Sequence, residues 1–143
     1  MTKYQLIYPM AFYVFYMFAL AALMFMSRVQ ALKKREVGFG YFKTYSGSNP
    51  QEKMLVIGRH YDNQFQVPIL FLATCAVFMA LDQASYFTLI LAWGFVLSRL
   101  GHSWIHLGSN NVKNRAAFFG LGWFIILVMW GQLIWQALMP ELA

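Results

Sequence analysis

Four long stretches of the chain carry no charge at all: residues 4–27, 63–81, 83–98 and 116–140. Within them the apolar residues run on without the regular polar face of a helix that meets water on one side. A helix needs about 20 mostly apolar residues to cross a bilayer. The first and last stretches exceed that length, and the third reaches it by continuing through Arg99 to about Leu107. The pattern predicts helices over about 4–33, 50–81, 84–107 and 115–139. Between the first two lies "KKREVGFGYFKTYSGSNPQEK", whose glycines, serines and charges mark a surface connection. At its end Asn49 suits a cap, Pro50 the first helical position and Glu52 the third. A helix from Pro50 to Leu81 would be roughly 48 Å long at 1.5 Å per residue. The hydrocarbon core is only about 30 Å thick, so the first residues of that helix project beyond it. Pro68 falls inside it and is expected to bend it. "DQAS" and "GSNNVKN" are short turns that force antiparallel neighbours. The expected fold is all-α: one domain, 1–143, an integral membrane four-helix bundle.

Composition agrees with that solvent. Hydrophobic residues make up 60% of the chain and charged residues 11%, against about 25% charged in soluble domains. The first run is too long for the apolar core of a cleaved signal peptide, and its positive charges follow it rather than precede it. The net charge of +6 changes meaning once its distribution is seen. Arg28, Lys33, Lys34, Arg35, Lys43, Lys53 and Arg59 surround the first connection, and Arg99, Lys113 and Arg115 the third. The other side has Lys3 as its one base, with Asp82 and Glu141. Such asymmetry is an orientation signal and not a nucleic-acid surface. It places both termini outside the cytoplasm, in what reads as a bacterial inner membrane. Cys75, the single cysteine, has no partner for an internal disulfide and reads as a small packing residue.

The polar residues inside the oily runs carry the candidate chemistry. Arg59, Asn63 and Gln66 are spaced four then three, one stripe of a helix. Arg99, His102 and His106 are spaced three then four, again one stripe, and Arg115 opens the fourth helix. Asp62 lies about 30 Å along its helix from Asp82, which puts all these groups near the cytoplasmic boundary. Lipid cannot satisfy them, so they face protein or a wet cavity. Two polar stripes and Arg115 at one depth point to a cationic pocket for an anion. Taken singly, the arginines suit snorkelling anchors, and Asn63 and Gln66 suit hydrogen bonds between helices. His102, His106 and His60 have positions from which imidazoles bind metal or haem. No acidic or cysteine ligand accompanies them on the third helix, and cations crowd the level, so no metal is expected.

These residues resemble the MAPEG family, the membrane-associated proteins in eicosanoid and glutathione metabolism, which includes microsomal glutathione transferases. In its second helix the family has an arginine, an asparagine, a glutamate three residues on, and a proline before an apolar run. Here that reads "RHYDNQFQVPILF". In its third helix an arginine is followed by a histidine three on and an aromatic or polar residue four further, with another arginine opening the fourth. Here those are Arg99, His102, His106 and Arg115. The family's glutamate is replaced by Gln66, its common third-helix tyrosine by His106, and a serine of some members by Ala116. A position that is often arginine is Asp62, whose charge partly stands in for the missing glutamate.

The resemblance implies a homotrimer with glutathione as co-substrate, bound between subunits near the cytoplasmic face. Arg115 would be the catalytic residue, stabilising the thiolate. Arg59, Asn63, Gln66, Arg99, His102 and His106 would bind the rest of the molecule. The second substrate would be a lipophilic small molecule arriving from the bilayer, and the chemistry conjugation or peroxide reduction. The competing expectation is a non-enzymatic subunit or lipid-binding module built on the same scaffold.

Overall fold

Pro9 stands in the first turn of helix α1 (Ile7–Lys33), where its missing N–H leaves no helical bond unmade. A single 3-10 turn, Lys3–Leu6, leads into α1 in this computed structural model, which describes residues 3–139. Tyr13 and Leu20 face inward, while Phe12, Phe15, Phe18 and Phe25 are exposed, as suits a helix whose outer side meets lipid. The connection after α1 contains one short helical turn, α2 (Tyr41–Thr44). Tyr41 packs there with Ala31, Val37 and Met54 into a small apolar cluster of its own.

The second expected helix is not continuous. It divides into α3 (Glu52–Asp62), a 3-10 turn (Asn63–Phe65) and α4 (Val67–Ala80). Pro68 is the cause. Its ring would collide with the carbonyl four residues earlier and it donates no bond. The chain therefore leaves the helical path at Gln66, with φ −98° and ψ −107°, and restarts with Pro68 in the first turn of α4. The bend expected of Pro68 is a full interruption. The start of α3 also differs from its sequence signal. Gln51 (φ −57°, ψ 141°) is the cap, and Glu52 is the first residue of the helix rather than the third. Its carboxylate still stands at the positive end of the helix.

α5 runs over Tyr86–Leu107, two residues short of the expected start at Ala84. Ser85 accepts from the Thr88 amide and Thr88 returns the bond to the Ser85 amide, a reciprocal cap that sets this boundary. Gln132 of α6 (Val112–Leu138) donates to both hydroxyls at 3.0 Å. α6 begins three residues before Arg115, capped by the Asn111 side chain on the Asn114 amide. α5 and α6 pair closely along their length. The main core gathers Tyr13, Phe71, Cys75, Phe78, Phe95, Val96 and Met129 from α1, α4, α5 and α6, with Phe71 and Phe95 stacked at 4.2 Å between centroids.

The described residues are mostly helical and contain no strand. Among the described residues, three helical segments are long and apolar enough to cross a membrane: Tyr4–Lys33, Glu52–Ala80 and Val112–Leu138. α5, with Arg99 and two histidines, is not among them, where the sequence pattern led us to expect four.

Candidate functional site

The break between α3 and α4 falls beside the middle of the α5–α6 hairpin's polar end. A cavity of about 430 Å³ opens there. α3 and the turn after it contribute Arg59, Asn63 and Gln66, α5 contributes His102 and His106, and Arg115 comes from α6. Asn110, from the turn before α6, completes the polar lining. Val56, Val112, Ala116 and Phe119 form apolar wall. Six of the seven residues singled out in the sequence thus line one cavity, and the lining holds two guanidinium groups and no carboxylate. The four-then-three spacing survives the interrupted helix because the 3-10 turn, at three residues per turn, keeps Gln66 on the side of Asn63. Asp62 is exposed and lies outside the lining.

Arg115 sits one turn inside α6 instead of at its start. Its amide already donates to the Asn111 carbonyl at 3.0 Å, so the unpaired amides of the helix end belong to residues before it. Its Nη1 donates to Asn110 Oδ1 at 2.7 Å, and its carbonyl accepts from His102 Nδ1 at 3.1 Å. Asn110 holds a left-handed backbone, φ 50°, which asparagine tolerates better than most residues. Asn110 thereby holds the Arg115 head, and the Arg115 carbonyl orients the His102 ring.

Arg99 is the residue the cavity leaves out. Only 2% exposed, it points away from the lining and into the α5–α6 contact. Nη2 donates to the carbonyls of Phe118 and Phe119 at 3.2 and 3.0 Å. The Phe95 and Phe119 rings lie at 5.2 Å from its charge centre. Gly122 makes room for it: a Cβ there would stand 2.2 Å from Nη2.

Behind the cavity wall is a layer that the two stripes did not announce. His60, fully buried, meets His106 Nδ1 to Nδ1 at 3.0 Å. Its Nε2 faces the Gln64 amide at 3.3 Å and the Tyr16 hydroxyl at 3.5 Å. Tyr16 in turn donates to Ser103, and Tyr13 to Gln64. The three imidazoles pack together, His60 stacked on His102 and edge-on to His106. His60 follows Arg59 directly and so belongs to another face of α3, while α1 shows no polar periodicity that would single out Tyr16.

The sequence model of the MAPEG family matches residues 6–135, nearly the whole chain and every residue of the cavity. The chain belongs to the MAPEG family. Its membrane character follows from that membership and from the apolar helices together. The family match runs from the last residue before α1 into the last turns of α6, so the interruption at Gln66 and the closely paired α5–α6 hairpin lie within the MAPEG unit. No curated protein matches the chain.

Proposed function

We propose that this MAPEG chain binds glutathione in the cavity and uses it as co-substrate, in conjugation or peroxide reduction, on a lipophilic molecule. The observation that carries the reading is the convergence of Arg59 and Arg115 with Asn63, Gln66, His102 and His106 on one space of about 430 Å³ that contains no acid. That volume falls in the usual range for small-molecule sites, about 300–1,000 Å³. Guanidinium groups suit the two carboxylates of glutathione, and the amides of Asn63 and Gln66 suit its peptide groups. Gln66 Oε1 offers the ammonium a neutral acceptor in place of an anionic one. The Arg115 guanidinium would favour the thiolate by adding positive charge beside it. Val112, Ala116 and Phe119 supply apolar wall for the second substrate.

The same reading includes a homotrimer of four-helix subunits with both termini outside the cytoplasm. Arg59 and Gln66 are exposed on the single chain, and lipid is a poor neighbour for either. A second copy against this face would cover them and close the cavity. The deciding experiment is thermal unfolding of the detergent-purified protein with and without glutathione. Ligand at 100 times its Kd stabilises by about 2.7 kcal/mol, so a clear rise in Tm is expected. An unchanged Tm at millimolar glutathione would sink the proposal.

A further inference from the structure

The geometry points to a transition-metal site formed by His60, His102 and His106, with its open side on the cavity. It does not depend on glutathione binding. Each of the three rings offers one nitrogen, and these nitrogens lie within 4.8 Å of one another. All three side chains are buried, at 0%, 3% and 3% exposure. Around tetrahedral zinc, with Zn–N near 2.0–2.1 Å, neighbouring ligand nitrogens stand about 3.4 Å apart. The His60 and His106 nitrogens are at 3.0 Å, and a His102 nitrogen lies within 4.8 Å of both.

A hydrogen-bonded pair would account for His60 and His106 alone. It leaves His102 unexplained. The Nδ1 of His102 is held by the Arg115 carbonyl, and its Nε2 is buried without a hydrogen-bond partner in the chain. An imidazole that donates one N–H to a backbone carbonyl and keeps a buried lone pair on the other nitrogen is arranged as a metal ligand is. His60 has similar support. With Nδ1 on the metal its proton moves to Nε2, where the Tyr16 hydroxyl stands at 3.5 Å as acceptor. Gln64 keeps its bond to the His60 carbonyl at 2.8 Å.

Three neutral imidazoles select a borderline divalent ion of the zinc, cobalt or copper type over calcium or magnesium. His102 and His106 line the cavity, so the fourth ligand enters from there. With Arg59 and Arg115 on that side, it is an anion, a hydroxide or a thiolate.

The test uses the full-length protein with a histidine-free affinity tag, treated with chelator and titrated with Co²⁺ in the absence of thiols. One Co²⁺ per chain should bind with the visible absorption of a tetrahedral site, and Zn²⁺ should displace it. His102→Gln and His106→Gln should each weaken binding at least about tenfold, since even supporting groups around a metal change affinity by 10–100-fold. Both variants leave the main core untouched, so they decide the matter even where His60→Gln does not fold. Absence of the visible band overturns the site, as does Co²⁺ binding that both variants retain in full.

Discussion

Gly122→Ala should be among the most damaging single-methyl changes in this protein, although glycine within a helix is ordinarily the poorer choice. The new Cβ would stand 2.2 Å from Arg99 Nη2 and 2.9 Å from its central carbon, more than an ångström inside normal contact. An arginine tip usually swings aside cheaply. This one is held by the carbonyls of Phe118 and Phe119 and flanked by two rings. Moving it weakens two hydrogen bonds from a charged donor, each worth about 1.5–3 kcal/mol, inside a buried contact. Against this stands a gain of about 1 kcal/mol in helix propensity. The net expectation is a loss of roughly 2–3 kcal/mol, read as a lower midpoint in thermal or denaturant unfolding followed by circular dichroism. A double-mutant cycle isolates the cause. In an Arg99→Met background, where the obstructed head is gone, Gly122→Ala should cost little or become favourable. A Gly122→Ala protein within about 0.5 kcal/mol of the parent, or a cycle that is simply additive, would refute the account of Arg99 as the fastener between α5 and α6.

Three further expectations bear on the function. Arg115→Ala should abolish the thiolate absorbance of bound glutathione and most turnover while lowering glutathione affinity only modestly; undiminished turnover would remove Arg115 from the chemistry. Cysteine placed at Gln83 should be labelled by an impermeant reagent from the non-cytoplasmic side and cysteine at Ser46 should not, and the reverse pattern would invert the assigned orientation. Native mass spectrometry in mild detergent should show three copies; a monomer that still binds glutathione would rule out a site completed by a neighbouring subunit.

The polar lining was legible because its signal is local. A charge or amide in an oily helix has few places to go, and spacings of three and four put Arg59 with Asn63 and His102 with His106 on shared faces. What such spacing cannot tell is where an arginine ends. Arg99 belongs to the same stripe as His102, yet its long side chain turns to the α6 backbone, and only the position of Gly122 reveals that. His60 was visible at the same depth as His102 and His106, but lying off the Arg59 stripe it gave no sign that its ring meets His106. Tyr16 was hidden by α1, where aromatic residues face every direction. Pro68 was visible, but whether a proline bends or interrupts a helix depends on what the neighbouring helices make of the freed backbone. Arg115 shows the limits of boundary reading: Asn111, not the arginine, provides the cap.

The guanidinium of Arg99 also bears on how the protein is made. For a helix lying across a bilayer, an arginine near its centre opposes insertion by about 2.5–3.5 kcal/mol. The groups that satisfy this one, the carbonyls of Phe118 and Phe119, lie further along the chain. Were α5 to lie across the bilayer, its place there would depend on partner groups supplied by α6. In that case α5 and α6 are suited to enter as one hairpin, the guanidinium already bonded to the α6 backbone.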